Sequence, residues 1–235
     1  MKRDRLVLLA IVAAVIVVAA VQHALTVDLL LAVAVLVPSV ILHEIAHGVV
    51  ANYFGDSTAK RQGRLTLNPL AHLDPFGSLI LPGVLALLGM PPIGYAKPVP
   101  VDVSQLRNRR NAVLIVSLAG PATNLVISIA CGIALRETLP QLASSAGGIG
   151  IGFTALFYGG VVNLLLTVFN LIPIPPLDGS AILERLLPQH AWHSFLRVRT
   201  YMIVVVVFVA VLAPGVLQSI YSPFESLWLH VFAGA

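Results

Sequence analysis

Charged residues are scarce in this chain. They make up 10% of its 235 residues, whereas a soluble domain carries roughly 25%. The hydrophobic share is 58% and the mean hydropathy is +0.94, which is more apolar surface than one globular core of this length can bury. The composition excludes a soluble enzyme, a disordered regulator and a secreted disulfide module. It indicates an integral membrane protein.

Cysteine is equally scarce, since Cys131 is the single one. One thiol cannot form an intramolecular disulfide or a cysteine-based zinc site. Basic residues are few as well: 14 Lys and Arg leave a net charge of +4. Their positions follow a membrane topology, described below, and not a nucleic-acid-binding surface. We therefore expect no nucleic-acid partner.

Five apolar segments are long enough to cross a membrane, which takes about 20 residues. They run approximately over residues 6–25, 27–54, 111–135, 149–172 and 201–220. A cleaved signal peptide is the alternative for the first segment, but its apolar run is longer than the ~7–15 residues of such a peptide. We predict an all-α integral membrane protein, a bundle of about five to six transmembrane helices.

Other segments are too short or too interrupted to span. Residues 76–90 are broken by proline and glycine, which predicts a re-entrant or interfacial loop. Residues 63–67 and 96–101 are short, polar-punctuated runs that are predicted as edge strands of a short β element on the cytoplasmic side, and the prolines of 96–101 restrict it to an unpaired edge. Residues 223–232 are predicted as an interfacial helix with Trp228 as its anchor.

The basic residues favour one orientation. With the N-terminus in the cytoplasm, the helices alternating and segment 76–90 returning to its own side, 13 of the 14 basic residues are cytoplasmic, and Arg136 is the exception. This asymmetry is the one that the positive-inside rule describes. A full crossing of segment 76–90 would move Lys97 and the arginines at 107–110 outside, so the re-entrant interpretation is favoured.

The segment at 27–54 contains HEIAH at positions 43–47. Ionisable side chains in a membrane helix are costly and usually functional. His43 and His47 lie on one helical face, so both can reach one metal ion, and Glu44 beside them can deprotonate a bound water. The alternative is that the histidines only pack against other helices. With entry at Asp28, a rise of ~1.5 Å per residue places His43 about 22 Å into a ~30 Å core, nearer the cytoplasmic side.

A catalytic zinc site takes three protein ligands. Asp178, in NLIPIPPLDGS at 170–180, is the preferred third ligand, because segment 149–172 runs in the same direction as segment 27–54 and ends at the same depth. The prolines predict extended backbone before it. Two alternatives stay open: Asp178 as a helix cap, or His72 as the third ligand, with Asp74 nearby, if segment 76–90 is re-entrant.

HEIAH on one membrane helix and NLIPIPPLDGS on a later one closely resemble the site-2 protease family of intramembrane zinc metalloproteases. AGPATN at 119–124 resembles the central helix of that family, and Asn124 within it is expected to hydrogen-bond between helices. No stretch is long enough for the PDZ or CBS domains that some relatives carry, so a compact member is expected. The resemblance covers residues 27–187, which we expect to be the catalytic core, with an N-terminal helix at 1–26 and a C-terminal helix and tail at 188–235.

The resemblance also implies roles for single residues. His43, His47 and Asp178 would bind one Zn²⁺ ion per chain, Glu44 would be the catalytic base, and Asn170 would position substrate or stabilise the oxyanion. Substrates would be transmembrane proteins, such as anti-sigma factors or membrane-tethered regulators, within the lipid bilayer of a prokaryotic cell membrane. Two alternatives stay open: a metal-ion or proton transporter, and a non-catalytic family member that binds membrane helices.

Overall fold

The computed structural model describes residues 26–80, 96–143, 150–188 and 213–234, together with positions 202 and 209. Its α-helices, in chain order, are α1 (Val27–Tyr53), α2 (Thr58–Arg61), α3 (Arg109–Ala143), α4 (Ile151–Asn170), α5 (Ser180–Leu186) and α6 (Pro214–Trp228). Short 3₁₀ turns lie at Pro69–Ala71 and Val103–Gln105, and π-helical turns lie at Pro75–Ile80 and Leu229–Ala233.

Three of the five predicted spans are confirmed as helices. α1, α3 and α4 are each long and apolar enough to cross a membrane. Large apolar side chains remain exposed along them, as Val27 at 64% and Val126 at 66% show, and lipid is the environment in which such faces are stable. The chain is therefore a helical membrane protein. The predicted span at 6–25, most of segment 76–90 and half of segment 201–220 lie outside the described residues.

The centre of the described fold is the packing of α1, α3 and α4 against one another. Small residues bring the helices close together, since Gly159 of α4 lies directly against Cys131 of α3. Buried polar groups also cross the interface: the Ser128 hydroxyl donates to the Gly160 carbonyl at 2.8 Å. Small residues and interhelical hydrogen bonds are the usual means of helix association in membranes.

The C-terminal helix α6 belongs to this core. It packs on α4, and the residues that follow it pack on α3. Trp228 is 5% exposed, and its indole N–H donates to the Ser128 carbonyl at 3.3 Å. The ring fills space that a Cβ on Gly160 would occupy. The prediction that Trp228 is an interfacial anchor is therefore wrong, because a glycine on α4 opens a slot that buries the indole.

The predicted β element is also wrong, since neither 63–67 nor 96–101 forms a strand. Buried Arg64 donates its guanidinium to the carbonyl oxygens of Lys97 at 2.9 Å and Pro98 at 3.2 Å. These carbonyls would otherwise be free to pair with a second strand. A side chain thus takes the place that the neighbouring strand was expected to fill.

The backbone N–H groups of segment 96–101 also bond to groups outside any strand. Val99 donates its N–H to the Glu44 carboxylate at 2.7 Å, and Lys97 donates its N–H to the His72 carbonyl at 2.8 Å. Proline has no N–H to contribute to a ladder, so these two amides are the donors on either side of Pro98. Segment 96–101 is consequently an irregular chain that is bonded to α1 and to the loop after it.

Candidate metal centre

His43 and His47 form the base of the candidate metal centre on α1. The i, i+4 spacing places them one turn apart on one helical face, as the sequence predicts. Both are buried, with 7% and 8% of their surface exposed, and their Nε2 atoms lie 3.0 Å apart. The two imidazoles therefore present one nitrogen each to the same small space.

Asp178 is brought to this space by the turns that follow α4. Its Oδ2 lies 3.0 Å from His43 Nε2 and 3.4 Å from His47 Nε2. The Gly179 N–H donates to the Asn170 carbonyl at 2.6 Å and ties the turn back to the end of α4. A Cβ at Gly179 would collide with the backbone of the same turn, so a glycine is required beside this ligand.

The proline-rich segment that leads to Asp178 is a succession of tight turns. Ile174 N–H donates to the Ile172 carbonyl at 2.8 Å, and Leu177 N–H donates to the Ile174 carbonyl at 2.9 Å. The predicted extended backbone is therefore wrong. α5 begins at Ser180 without a side-chain capping hydrogen bond, so the capping interpretation of Asp178 finds no support in this geometry.

Each imidazole makes a hydrogen bond through Nδ1, the ring nitrogen that points away from the centre. This bond determines the tautomer, and so whether Nε2 can bind a cation. His47 Nδ1 lies 2.7 Å from the Val116 carbonyl oxygen. A carbonyl can only accept, so Nδ1 carries a proton, and in the neutral imidazole Nε2 then presents a lone pair. His43 Nδ1 lies 2.5 Å from Asn124 Oδ1, which gives the same tautomer. Asp178 Oδ2 is buried and has no hydrogen-bond donor. Three acceptor atoms therefore converge, and a cation would satisfy all three.

The donor set and its spacing fit zinc. Two histidine nitrogens and one carboxylate oxygen are the ligands of a common type of catalytic zinc site, which keeps a further position for water. Ligands ~2.0–2.1 Å from a tetrahedral ion lie about 3.3 Å from each other, and the separations here are 3.0 Å and 3.4 Å. Among the described residues, His43, His47 and Asp178 are the group arranged to hold a metal.

Gly120 on α3 forms a wall of the centre. A Cβ at this position would lie 2.5 Å from Cε1 and Nε2 of His43 and 2.5 Å from Nε2 of His47. Contacts this short are not tolerated between carbon and ring atoms. The bare backbone of α3 thus lets the two imidazoles fit between the helices, which gives a physical reason for the glycine in AGPATN.

Glu44 faces a cleft of about 490 Å³ that His47 and Asp178 also line. Its Oε2 accepts the Val99 N–H at 2.7 Å, and this bond holds the carboxylate at the cleft. The walls combine apolar and polar groups, and the charged side chains at 109 and 184 contribute to the lining. The arrangement places a carboxylate at the cleft that two of the three converging ligands also line.

Asn170 is the last residue of α4, and its side chain bonds to its own helix. The side-chain N–H donates to the Leu166 carbonyl, one turn back, at 2.9 Å. Its backbone carbonyl accepts from Gly179 and so supports the turn that carries Asp178. Its role toward substrate stays a prediction.

His72 and Asp74 do not join the group of converging ligands. His72 is 3% exposed, and its Nε2 lies 2.8 Å from the Thr66 carbonyl oxygen. Asp74 Oδ1 accepts the Gly77 N–H at 2.7 Å, which is the loop-capping role that such a residue commonly has. The structure thus brings Asp178, and not His72, to the two histidines.

Sequence reasoning missed Asn163 and the contact between Asn124 and His43. Asn163 is fully buried between the helices, as is Asn124. The available signal was an amide in the middle of the apolar helix α4, where a polar side chain needs a partner. The identity of that partner depends on helix packing, which the sequence does not specify.

Comparisons with known proteins agree with this chemistry. The profile of Peptidase family M50 matches residues 141–214. The chain is 38% identical over 204 residues to "Putative zinc metalloprotease YwhC" of Bacillus subtilis, covering 84% of this chain and 89% of that protein. It is 37% identical over 147 residues to "Putative zinc metalloprotease Rip2" of Mycolicibacterium smegmatis, covering 62% of this chain and 53% of that protein. No solved structure matches the chain significantly.

Proposed function

The chain belongs to the site-2 protease family, peptidase family M50, and we propose that it is an intramembrane zinc metalloprotease. Its reaction is the hydrolysis of peptide bonds within transmembrane segments of other membrane proteins. The observation that carries this proposal is the convergence of His43 Nε2, His47 Nε2 and Asp178 Oδ2 at the edge of the cleft that Glu44 faces.

Each of these side chains has a defined part in the proposed reaction. His43, His47 and Asp178 would hold a zinc ion, which supplies Lewis acidity to the scissile carbonyl and lowers the pKa of a water. Glu44 would take a proton from the water whose oxygen bonds to the scissile carbonyl carbon, and would pass it to the amine that leaves when the C–N bond breaks. The Val99 N–H keeps the Glu44 carboxylate turned toward the cleft through its bond to Oε2.

The two alternative functions have less support. A proton or metal-ion transporter would carry acids along a path through the membrane. In α1, α3 and α4 the acidic residues are Asp28, Glu44 and Glu137, and of these Glu44 alone lines the cleft beside the ligands. A non-catalytic helix-binding protein would need no base beside the ligands, although Glu44 would still bond to the Val99 N–H.

The test is cleavage of a model transmembrane substrate by the purified chain in detergent, with and without a zinc chelator. Glu44→Gln keeps the shape and removes the base, so zinc should stay bound while cleavage falls by a factor on the order of 10²–10⁴. Glu137→Gln is the matched control, because Glu137 is exposed on α3, and it should cleave normally.

Each contrary outcome identifies a different error. Substantial cleavage by the Glu44→Gln variant excludes the base role, and cleavage that persists in chelator excludes metal dependence. Bound zinc with metal or proton flux in vesicles, and no cleavage, supports the transporter. Bound substrate helix without cleavage by the unmodified chain supports the non-catalytic family member.

We also propose that the N-terminus is cytoplasmic and that substrates, such as anti-sigma factors or membrane-tethered regulators, are cut in their cytoplasmic half. At ~1.5 Å per residue, His43 lies about 24 Å along α1, past the middle of that 27-residue helix. Residues that weaken a helix, such as Gly, should favour cleavage, because the substrate must unwind locally. Mass spectrometry of the product termini tests the position. Cuts in the outer half contradict the topology.

A further inference from the structure

We propose that Asn163, Asn124 and Ser39 form a directed hydrogen-bond relay that determines which nitrogen of His43 is available to a metal. The three residues lie on α4, α3 and α1, and they are 0%, 0% and 4% exposed. They are positioning residues, because the relay reaches the centre through His43. The inference rests on the proposed function, since it concerns a ligand of the proposed zinc site.

The direction of the relay begins at Asn163. Its Nδ2 donates to the Gly159 carbonyl at 2.8 Å and to the Ser39 hydroxyl oxygen at 2.9 Å. The Ser39 hydroxyl gives its own hydrogen to the Val35 carbonyl at 2.8 Å, so it faces Asn163 as an acceptor. Because a backbone carbonyl cannot donate, the amide of Asn163 has one acceptable orientation. Its Oδ1 must point toward Asn124.

Asn124 continues the donor-to-acceptor direction of these hydrogen bonds as far as His43. Its Nδ2 donates to Asn163 Oδ1 at 2.7 Å, and a longer contact of 3.4 Å reaches the Ser39 carbonyl. Its Oδ1 therefore faces His43 Nδ1 at 2.5 Å. Nδ1 must then carry the proton, and Nε2 presents its lone pair to Asp178 and His47. Turning over either amide would set two acceptors against each other without water, which is unfavourable in a buried network.

The two histidines reach the same tautomer by different routes. His47 bonds directly to a backbone carbonyl, that of Val116, which no substitution removes. His43 reaches the fixed carbonyl of Gly159 through two side-chain amides. Substitutions of the two amides can therefore change which ring nitrogen of His43 carries the proton, although His43 itself is unchanged. Partners of this kind typically change metal affinity by a factor of about 10–100.

The experiment measures zinc affinity of the full chain in detergent by competition with a chelator, and size-exclusion chromatography reports folding. Asn124→Leu removes the acceptor and should weaken zinc binding about 10–100-fold. Asn163→Leu frees the Asn124 amide to turn over and should weaken it about tenfold. The matched control is Ser128→Ala, which removes a buried α3–α4 hydrogen bond that does not lead to His43. It should leave zinc affinity unchanged.

The decisive variant is the double substitution Asn124→Asp with Asn163→Leu. A carboxylate accepts from His43 Nδ1 through either oxygen, so it needs nothing to direct it. Zinc affinity should return to near the unmodified value. A merely structural role of Asn163 predicts no such rescue. A double variant as weak as Asn163→Leu, or an Asn163→Leu variant with unchanged affinity, overturns the relay.

Two further comparisons keep the test decisive. If Asn163→Leu does not fold, Asn163→Ala replaces it, alone and together with Asn124→Asp: the relay predicts the same loss and the same rescue, and equal affinities of the single and the double variant contradict it. If the unmodified chain binds no zinc, or if His43→Ala binds as well as the unmodified chain, the proposed function itself fails. Zinc bound normally by every relay variant contradicts the relay alone.

Discussion

Two parts of the molecule meet at the candidate metal centre, and they satisfy their polar groups in opposite ways. The first is the helix layer, made of α1, α3 and α4. Its backbone N–H groups are bonded within the helices, so its buried side chains bond to one another or to carbonyl lone pairs. His43 bonds to Asn124, and His47 bonds to the Val116 carbonyl.

The second part is the loop layer, made of residues 54–74 and 96–106. Its backbone is irregular, so free N–H groups remain, and carboxylates accept them. Asp56 is fully enclosed and accepts the N–H groups of Thr58 at 2.9 Å and Asp102 at 2.7 Å. Asp102 in turn accepts the Ser104 N–H at 3.0 Å.

Glu44 connects the two layers, because it lies on α1 and accepts an amide hydrogen from Val99 in the loop layer. The difference between the layers shows what each contributes. Rigid helices with directed side-chain bonds orient the ligands, whereas an irregular segment whose amides need acceptors holds the proposed base. The four predictions below test this division, from the largest expected effect to the smallest.

The first prediction concerns whether the third ligand is Asp178, on the turn that follows the helix layer, or His72 of the loop layer. Asp178→Ala removes an oxygen that lies within 3.4 Å of both histidines, so zinc content should fall from about one per chain to near zero. His72→Ala, in the loop layer, should keep its zinc. Metal analysis of the two purified variants decides the matter. Full zinc in the first and none in the second would assign the ligand to the loop layer.

The second prediction tests how closely the helix layer is packed. Gly120→Ala places a Cβ 2.5 Å from ring atoms of both histidines, so zinc affinity should drop at least about tenfold, as for other supports of metal ligands. Gly152→Ala on α4 is the control, because its Cβ meets nothing within 4 Å. Equal zinc affinity of the two variants, measured by chelator competition, would show that the helices can move apart to accommodate the added methyl group.

The third prediction tests whether the loop layer supports Glu44 without also supporting the metal ligands. Val99→Pro removes the N–H that Glu44 accepts, so the cleavage rate should fall several-fold, on the scale of one lost hydrogen bond, while zinc affinity is kept. Val99→Ala retains the N–H and should lose less. Single-turnover cleavage and zinc competition are measured together. A parallel fall in zinc affinity would mean that the loop layer also supports the ligands.

The fourth prediction concerns pH and the stability of the loop layer. Burial raises the pKa of Asp56, but the hydrogen bonds from Thr58 and Asp102 outweigh it, and the net pKa is lowered. The stabilisation by this carboxylate is therefore complete above the ordinary aspartate pKa of about 3.9 and is lost as pH falls through the lower folded value.

Asp56→Asn should accordingly lower the melting temperature by about 2–4 °C near neutral pH, the equivalent of one hydrogen bond. The difference from the unmodified chain should shrink as the pH falls below the ordinary aspartate pKa. A difference for Asp56→Asn that does not change with pH would contradict the role of its charge.

Side-chain periodicity accounts for the successful predictions. Three long helices follow from apolar runs, because a membrane requires every backbone group to be bonded within its own segment. The one-face placement of His43 and His47 follows from helical geometry alone. Asp178 was found from the direction of α4, since its end must return to the depth of the histidines. None of these steps requires knowledge of distant contacts.

Two of the three incorrect predictions, the β element and the Trp228 anchor, share a different cause. Segments 63–67 and 96–101 have strand-like patterns, yet Arg64 and Glu44 occupy the backbone groups that a strand would use. Trp228 has the composition of an interfacial anchor, yet a slot at Gly160 buries it. In each case a partner far away in the chain competes with the local tendency and wins.

The sequence by itself determined that this is a helical membrane protein with a HExxH helix, an aspartate after a later helix and a family relationship to zinc metalloproteases. These properties depend on local periods and motifs, which are read along the chain. The tertiary structure alone decided that Gly120 leaves room for the imidazoles, that Asn163 directs Asn124 toward His43, and that Val99 holds Glu44. These contacts join residues tens of positions apart, and packing selects them from many partners of equal chemistry.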